Sequence, residues 1–286
     1  MFPTRRGFAA ASLGTLFAQS PAKVQFGVTD WNIGLGAKLE AVEFAATAGF
    51  AGVEVSLGLT PVNGKLALDN PQLLDDYLRL TAQKRIAVAG TCIDILNREC
   101  LKKGGQALQW VRDGVRITRR LGARVMLVPF FGRDCSAETE PELRAVAAFL
   151  KELAPAASEA GVTLGLENWL SAEDNARLLD EVGSKWVRVY YDVGNSTRRG
   201  RDPAKEIRWL GAERICQVHL KENPITLHFG EGKMDFVAIV RALTDIGFSG
   251  WANLEMTFPP ESRSQDLHRN LVFMRNLFAS AKRPGA

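Results

Sequence analysis

Four side chains dominate a chemical reading of this chain: Glu167, Asp192, His219 and Glu255. Each closes a short run of apolar or β-branched residues: VTLGLEN (162–168), VRVYYD (187–192), ICQVHL (215–220) and WANLE (251–255). Runs of this length and composition read as buried strands. If the strands are parallel neighbours, their C-terminal ends share one rim, and three carboxylates converge there with one imidazole. Carboxylates crowded into a low-dielectric mouth repel one another and shift their pKa values. A divalent cation removes that conflict. Three oxygen donors and one nitrogen suit Mn, Mg, Co or Zn without choosing among them.

The elements that must position these groups follow from the rest of the pattern. Four earlier runs have the same character: VQFGVT (24–29), GVEVS (52–56), IAVAGT (86–91) and RVMLVPF (124–130). Amphipathic segments lie between the runs. Leu39–Ala48, Gly105–Leu121, Glu142–Ala160, Ala172–Val182 and Met234–Ile246 each stop at a Gly, the expected C-terminal signal. Pro71–Gln83 and the shorter Asp202–Leu210 complete the alternation, and Gln265–Ala281 reads as a C-terminal helix. Strands of near-continuous apolar character that alternate with helices form a parallel sheet covered on both faces. Eight such units predict a closed (β/α)8 TIM barrel as a single domain over residues 23–286. No G-x-G-x-x-G follows the first strand and no Walker motif occurs, which argues against nucleotide-binding doubly wound folds.

Residues 1–22 are set apart from the barrel. They begin MFPTRRGFAAASLGTLFAQSPA, with Arg5 and Arg6 ahead of a mildly apolar stretch from Phe8 to Ala18 and small residues near Ala22. This is the plan of an export signal, and the adjacent arginines resemble the twin-arginine class. The expectation is therefore an exported, periplasmic protein with no membrane attachment once the signal is removed. Charge is balanced, with 36 basic and 32 acidic residues and a net +4, so no nucleic-acid footprint stands out. The four cysteines, Cys92, Cys100, Cys135 and Cys216, show neither metal-finger spacing nor an evident disulfide framework.

The stretches LGLENW, YYDVGNS, QVHLKEN and WANLE resemble the sugar phosphate isomerase/epimerase family, the xylose-isomerase-like barrels. The segment FGEGKMDFVAIVRALTDIGFSGWANLE (229–255) is similar to that family's last β/α unit. The resemblance implies that Glu167, Asp192, His219 and Glu255 bind one divalent metal ion. It also implies that Glu167 and Glu255 exchange protons with substrate carbons from opposite faces. The implied reaction is deprotonation next to a carbonyl, an enediolate, then reprotonation, with the metal stabilising the developing oxyanion. Two carboxylates allow one to act as base while the other, protonated, acts as acid.

Other residues are candidates for substrate contact. Glu54, ending the second strand, matches a recurrent family glutamate. Lys221 points to the same side as His219 and could meet a substrate oxygen or phosphate. Arg133 could clamp an anionic group, and His228 precedes a Gly-rich loop that could lie over the mouth. Trp31, Phe130, Phe131, Trp169 and Phe258 follow predicted strands, and such aromatic faces suit the C–H faces of sugars. The chain also departs from the family pattern. Asn195 stands where many epimerases carry a histidine, and Trp169 stands where several relatives carry another. Asn195 can bond a sugar hydroxyl but cannot carry a proton.

The expected activity is a metal-dependent sugar isomerase or epimerase with a small carbohydrate as its partner. Homo-oligomer formation is left open. Two alternatives share the scaffold: a lyase that cleaves 3-keto-glycosides by β-elimination, and a non-catalytic sugar-binding barrel. A repair-type endonuclease would need several zinc-binding histidines, and only His219, His228 and His268 exist.

Overall fold

A computed structural model describes residues 24–132 and 134–281. The proposed signal segment, residues 1–22, lies outside the described residues, as does Arg133. Eight parallel strands close into a barrel in chain order: β1 (Val24–Thr29), β2 (Gly52–Ser56), β3 (Ala87–Cys92), β4 (Val125–Pro129), β5 (Thr163–Glu167), β6 (Val187–Asp192), β7 (Ile215–Leu220) and β8 (Gly250–Leu254). The ring closes where Val24–Val28 pair with Gly250–Leu254. Around it run α1 (Glu40–Thr47), α2 (Pro71–Lys84), α3 (Gln106–Arg120), α4 (Glu140–Ala160), α5 (Ala172–Val182), the short α6 (Val193–Arg198), α7 (Pro203–Arg214), α8 (Phe236–Asp245) and α9 (Arg263–Ser280).

The helix boundaries have local causes. Asn70, Ser171, Asp202 and Asp235 accept backbone N–H bonds at the starts of α2, α5, α7 and α8. Thr139 and Glu142 form a reciprocal capping box, so α4 begins two residues earlier than its apolar periodicity predicts. Gly161 and Gly183 end α4 and α5 in the left-handed conformation that favours glycine. In α7 the expected stop at Gly211 is real in its dihedrals, φ 73° and ψ 167°, although hydrogen bonding continues to Arg214. The helix α6 has no apolar periodicity of its own. It forms because Asp192 caps it, its carboxylate accepting from the N–H groups of Gly194 and Asn195.

The barrel axis holds a hydrogen-bonded polar column. Asn253 Nδ2 donates to Glu54 Oε2 (3.1 Å) and Gln217 Oε1 (3.2 Å), and lies 2.7 Å from the Tyr190 hydroxyl. All four residues are buried, so each pairing offsets a desolvation cost. Room for Asn253 comes from its register partner on the neighbouring strand: a Cβ at Gly27 would overlap its side-chain oxygen.

One sequence expectation is corrected. Cys100 and Cys135 form a disulfide across a separation of 35 residues, with Cα atoms 4.8 Å apart. Their spacing carries no motif; the pairing arises because the loops after β3 and β4 are neighbours on the rim. Cys92 and Cys216 remain free, and burial pushes both thiols up, Cys216 to about 12. Among the described residues no helix is long and apolar enough to cross a membrane.

Candidate metal centre and substrate cavity

Strands β5 to β8 deliver the four expected side chains to one place. Glu167 ends β5, Asp192 ends β6, His219 lies one residue from the end of β7, and Glu255 follows β8. Parallel register sets Asp192 directly beside His219. One ligand atom from each of Glu167, Asp192, His219 and Glu255 lies within 4.8 Å of all the others. His219 Nδ1 stands 3.6 Å from Glu255 Oε2, 3.7 Å from Glu167 Oε1 and 4.0 Å from Asp192 Oδ2. It is fully buried and accepts or donates no hydrogen bond. A buried imidazole nitrogen without a partner, facing three carboxylates, is a donor set that fits a divalent cation.

Neighbouring residues fix the orientation of this cage. His219 Nε2 lies 2.9 Å from Glu54 Oε2, which directs Nδ1 towards the carboxylates. Asn195 Nδ2 donates to Glu167 Oε1 (2.9 Å) and Trp31 Nε1 donates to Glu255 Oε1 (3.0 Å). Lys221 Nζ lies 2.5 Å from Asp192 Oδ2 and also touches Glu255 Oε2. These last two contacts are attractions of charge rather than aligned hydrogen bonds.

Protonation follows from burial and from this crowd of charge. Burial raises the Glu167 carboxyl to about 8; the neighbouring His219 imidazole pulls it down, while Asp192 and Glu255 push it up. Burial is also the largest influence on Asp192, but the Lys221 ammonium, Glu167 and His219 together outweigh it and hold Asp192 below the ordinary carboxylate range. Burial opposes the charged form of His219, yet the Glu255 and Glu54 carboxylates raise its pKa well above the usual value. A bound dication would reverse that preference by taking the place of the proton on Nδ1.

A cavity of about 450 Å³ opens beside the cage. Of the four cage residues, Glu167 and Glu255 line it; Asp192 and His219 stand behind them. Trp31, Leu59, Pro129 and Phe131 give it apolar walls, and Ser56, Asp94 and Asn97 give it a polar end.

The other expected contact residues are distributed as follows. Trp31 reaches the cavity. Trp169 stacks on Phe131, with ring centroids 6.0 Å apart, and so backs the wall rather than forming it. Glu54 was expected to meet substrate, but it is fully buried in the polar column, below the cage. Asn195 and Lys221 face the cage carboxylates instead of the cavity. His228 bonds Asp266 (2.9 Å) and Glu231 (3.1 Å) and stacks on Phe258, which ties its loop to α9 instead of placing it over the mouth. His268 lies against Ala48 O (3.0 Å), away from the cage in packing between α9 and α1.

Sequence reasoning missed Ser56, Asp94 and Asn97. The signal was available, since Ser56 ends β2 and Asp94 lies two residues past the end of β3. It also missed Glu222, which is buried and accepts from the N–H groups of Asn223, Gly230 and Met234, gathering the loop after β7.

Comparison with known proteins agrees with this architecture. The family model described as "Xylose isomerase-like TIM barrel" matches residues 42–277. The chain belongs to this family. A 2-epi-5-epi-valiolone 7-phosphate 2-epimerase from Actinoplanes sp. is 28% identical over 203 residues, covering 69% of this chain and 72% of that protein. The L-ribulose 3-epimerase of Mesorhizobium japonicum is 28% identical over 239 residues, covering 80% of this chain and 69% of its own. A solved L-ribulose 3-epimerase structure superposes with a TM-score of 0.75 at 21% identity, over 91% of this chain and 96% of that one. Both of these relatives are named as epimerases.

Proposed function

We propose that this chain is a divalent-metal-dependent sugar epimerase or isomerase that moves a proton at a carbon next to a carbonyl. One observation carries the reading. Glu167 and Glu255 both belong to the cage and both line the cavity, whereas Asp192 and His219 only back the cage. Two carboxylates placed in this way can serve a single substrate carbon or an adjacent pair. Without metal, burial raises Glu167 to about 8, and a bound dication would favour instead the carboxylate form that a base requires. Trp31 orients Glu255 through its indole N–H, and Asn195 orients Glu167 through its amide. A cation held by Glu167, Asp192, His219 and Glu255 would supply electrophilic stabilisation of the developing oxyanion. The aromatic walls exclude water from the reacting carbon.

The decisive experiment incubates metal-loaded protein with ketoses, aldoses and 3-keto-glucosides in deuterated water. Deuterium at a substrate carbon with the skeleton intact is the expected result. Release of an aglycone would instead identify a lyase. Sugar binding with no exchange at all would leave a binding protein. Glu255→Gln should abolish exchange while weakening metal binding only in part.

The same reading includes export by the twin-arginine-type segment. The Cys100–Cys135 disulfide supports it, because such bonds persist chiefly in oxidising compartments. Fractionation of cells expressing the full chain tests it, with the protein expected in the periplasm.

A further inference from the structure

The geometry points to a hydroxyl-binding subsite at the polar end of the cavity, formed by Asp94 with Ser56 and Asn97, that accepts an uncharged sugar and rejects its phosphate esters. This inference rests on the epimerase reading, and it names the substrate class of that same site.

Three observations lead to it. First, the charged residues lining the cavity are Asp94, Glu167 and Glu255. Among the described residues, which leave out Arg133 two positions beyond Phe131, the lining includes no Lys, Arg or His. The cation nearest the cage, Lys221, is engaged by Asp192 and Glu255. Glu167 and Glu255 are accounted for by the cage, so Asp94 is the charge presented to the rest of a substrate.

Second, Asp94 is a built acceptor rather than a mobile surface acid. It is 9% exposed. The Ser56 hydroxyl donates to its Oδ2, and Gly58 N donates to Ser56 Oγ at 3.0 Å. The N–H of Ser56 is in turn held by the buried carboxylate of Asp30, at 3.0 and 3.1 Å. A chain of hydrogen bonds from β1 through β2 therefore fixes the carboxylate at the cavity wall. Asn97, exposed at the end of the 3-10 turn Asp94–Asn97, adds an amide that can donate or accept.

Third, the field at this end is negative. Burial raises Asp94 to about 6, and Glu54 adds to the rise. A sugar hydroxyl donates to such a carboxylate. A phosphate dianion meets repulsion from that carboxylate.

The test compares matched probes on the metal-loaded full chain: L-ribulose against L-ribulose 5-phosphate, and D-allulose against D-allulose 6-phosphate. Calorimetry reads binding, and deuterium incorporation from solvent reads turnover. The free sugar should bind at least about 10-fold more tightly than its ester. Asp94→Ala should weaken free-sugar binding by about 10-fold or more, and Asn97→Ala, at an exposed position, by a smaller factor of about 3. Asp94→Asn keeps an acceptor and removes the charge, so it should narrow the sugar-to-ester ratio by about 10-fold while metal binding stays at the wild-type value. Tighter binding of an ester, no binding of either probe, or an unchanged affinity in a folded Asp94→Ala variant would overturn the inference. Preferential binding of the free sugar without deuterium exchange would leave the subsite standing and remove the epimerase reading. Equal binding and exchange on sugar and ester would do the reverse.

Discussion

The ammonium of Lys221 lies 2.5 Å from Asp192 Oδ2, inside the cage and two residues along the chain from the imidazole of His219. A fixed positive charge is therefore part of the centre. Burial disfavours that charge, but Asp192 and Glu255 outweigh burial and raise the Lys221 pKa. Replacing the ammonium with an isosteric apolar group, Lys221→Met, leaves buried carboxylates uncompensated. Metal-free protein should lose about 3–5 kcal/mol of stability. The stabilisation gained on adding metal should grow, because the cation then supplies the only strong counter-charge to Asp192 and Glu255. Thermal unfolding with and without Mn or Zn measures both shifts.

Glu54 acts on the centre through His219. Its carboxylate accepts from Nε2 at 2.9 Å and leaves Nδ1 to face the cage. Glu54→Gln would weaken that acceptor and release the tautomer it selects. Metal affinity should fall by about 10- to 100-fold, while the cavity lining, which excludes Glu54, stays intact. Titration calorimetry with a single metal reads the change. An affinity equal to wild type would show that imidazole orientation is set elsewhere.

Asp94 links stability to pH. Its carboxyl moves from an ordinary 3.8 to about 6 on folding, chiefly through burial. The native state thus binds the proton more tightly than the unfolded state. The stability this proton gives is full below about pH 4 and is lost as pH rises through about 6. Over that window the loss is about 3 kcal/mol. Asp94→Asn mimics the neutral form at every pH, so its stability relative to wild type should climb between pH 4 and 7. Denaturant unfolding at several pH values checks the slope.

The disulfide between Cys100 and Cys135 closes a loop of the chain that includes all of α3 and β4. For a loop of this length the chain-entropy model gives about 4 kcal/mol. Reduction, or Cys135→Ser, should lower unfolding free energy by that order. It should also raise KM for sugar more than it lowers kcat, because Asn97 and Phe131 lie on the two loops that the bond joins.

Most of the barrel was legible because each strand is a short apolar run and several helices end at glycine. The four cage residues were legible for a simpler reason: a polar residue that closes an apolar strand stands out. What escaped the sequence was either pairwise or marginal. The disulfide depends on two loops becoming neighbours, which the separation of Cys100 and Cys135 does not encode. The placement of Glu54 depends on partners from three other strands, Tyr190, His219 and Asn253. Asp94 was missed because β3 runs one residue further than its composition predicts, to Cys92, which brings the next two residues to the rim. Asn195 and Lys221, read from the sequence as substrate contacts, have side chains turned towards the cage carboxylates, a direction that the sequence does not encode.

Gly27 and Asn253 are register partners on the adjacent strands β1 and β8, and a Cβ at Gly27 would overlap the Asn253 side-chain oxygen. Their identities are therefore sterically interlocked. A larger residue at 27 becomes tolerable only alongside a shorter one at 253, which would then abandon Glu54, Tyr190 and Gln217 together. The two positions should drift as a pair or stay fixed as a pair, and a lineage that crossed from one solution to the other would have had to rebuild the floor beneath its metal site.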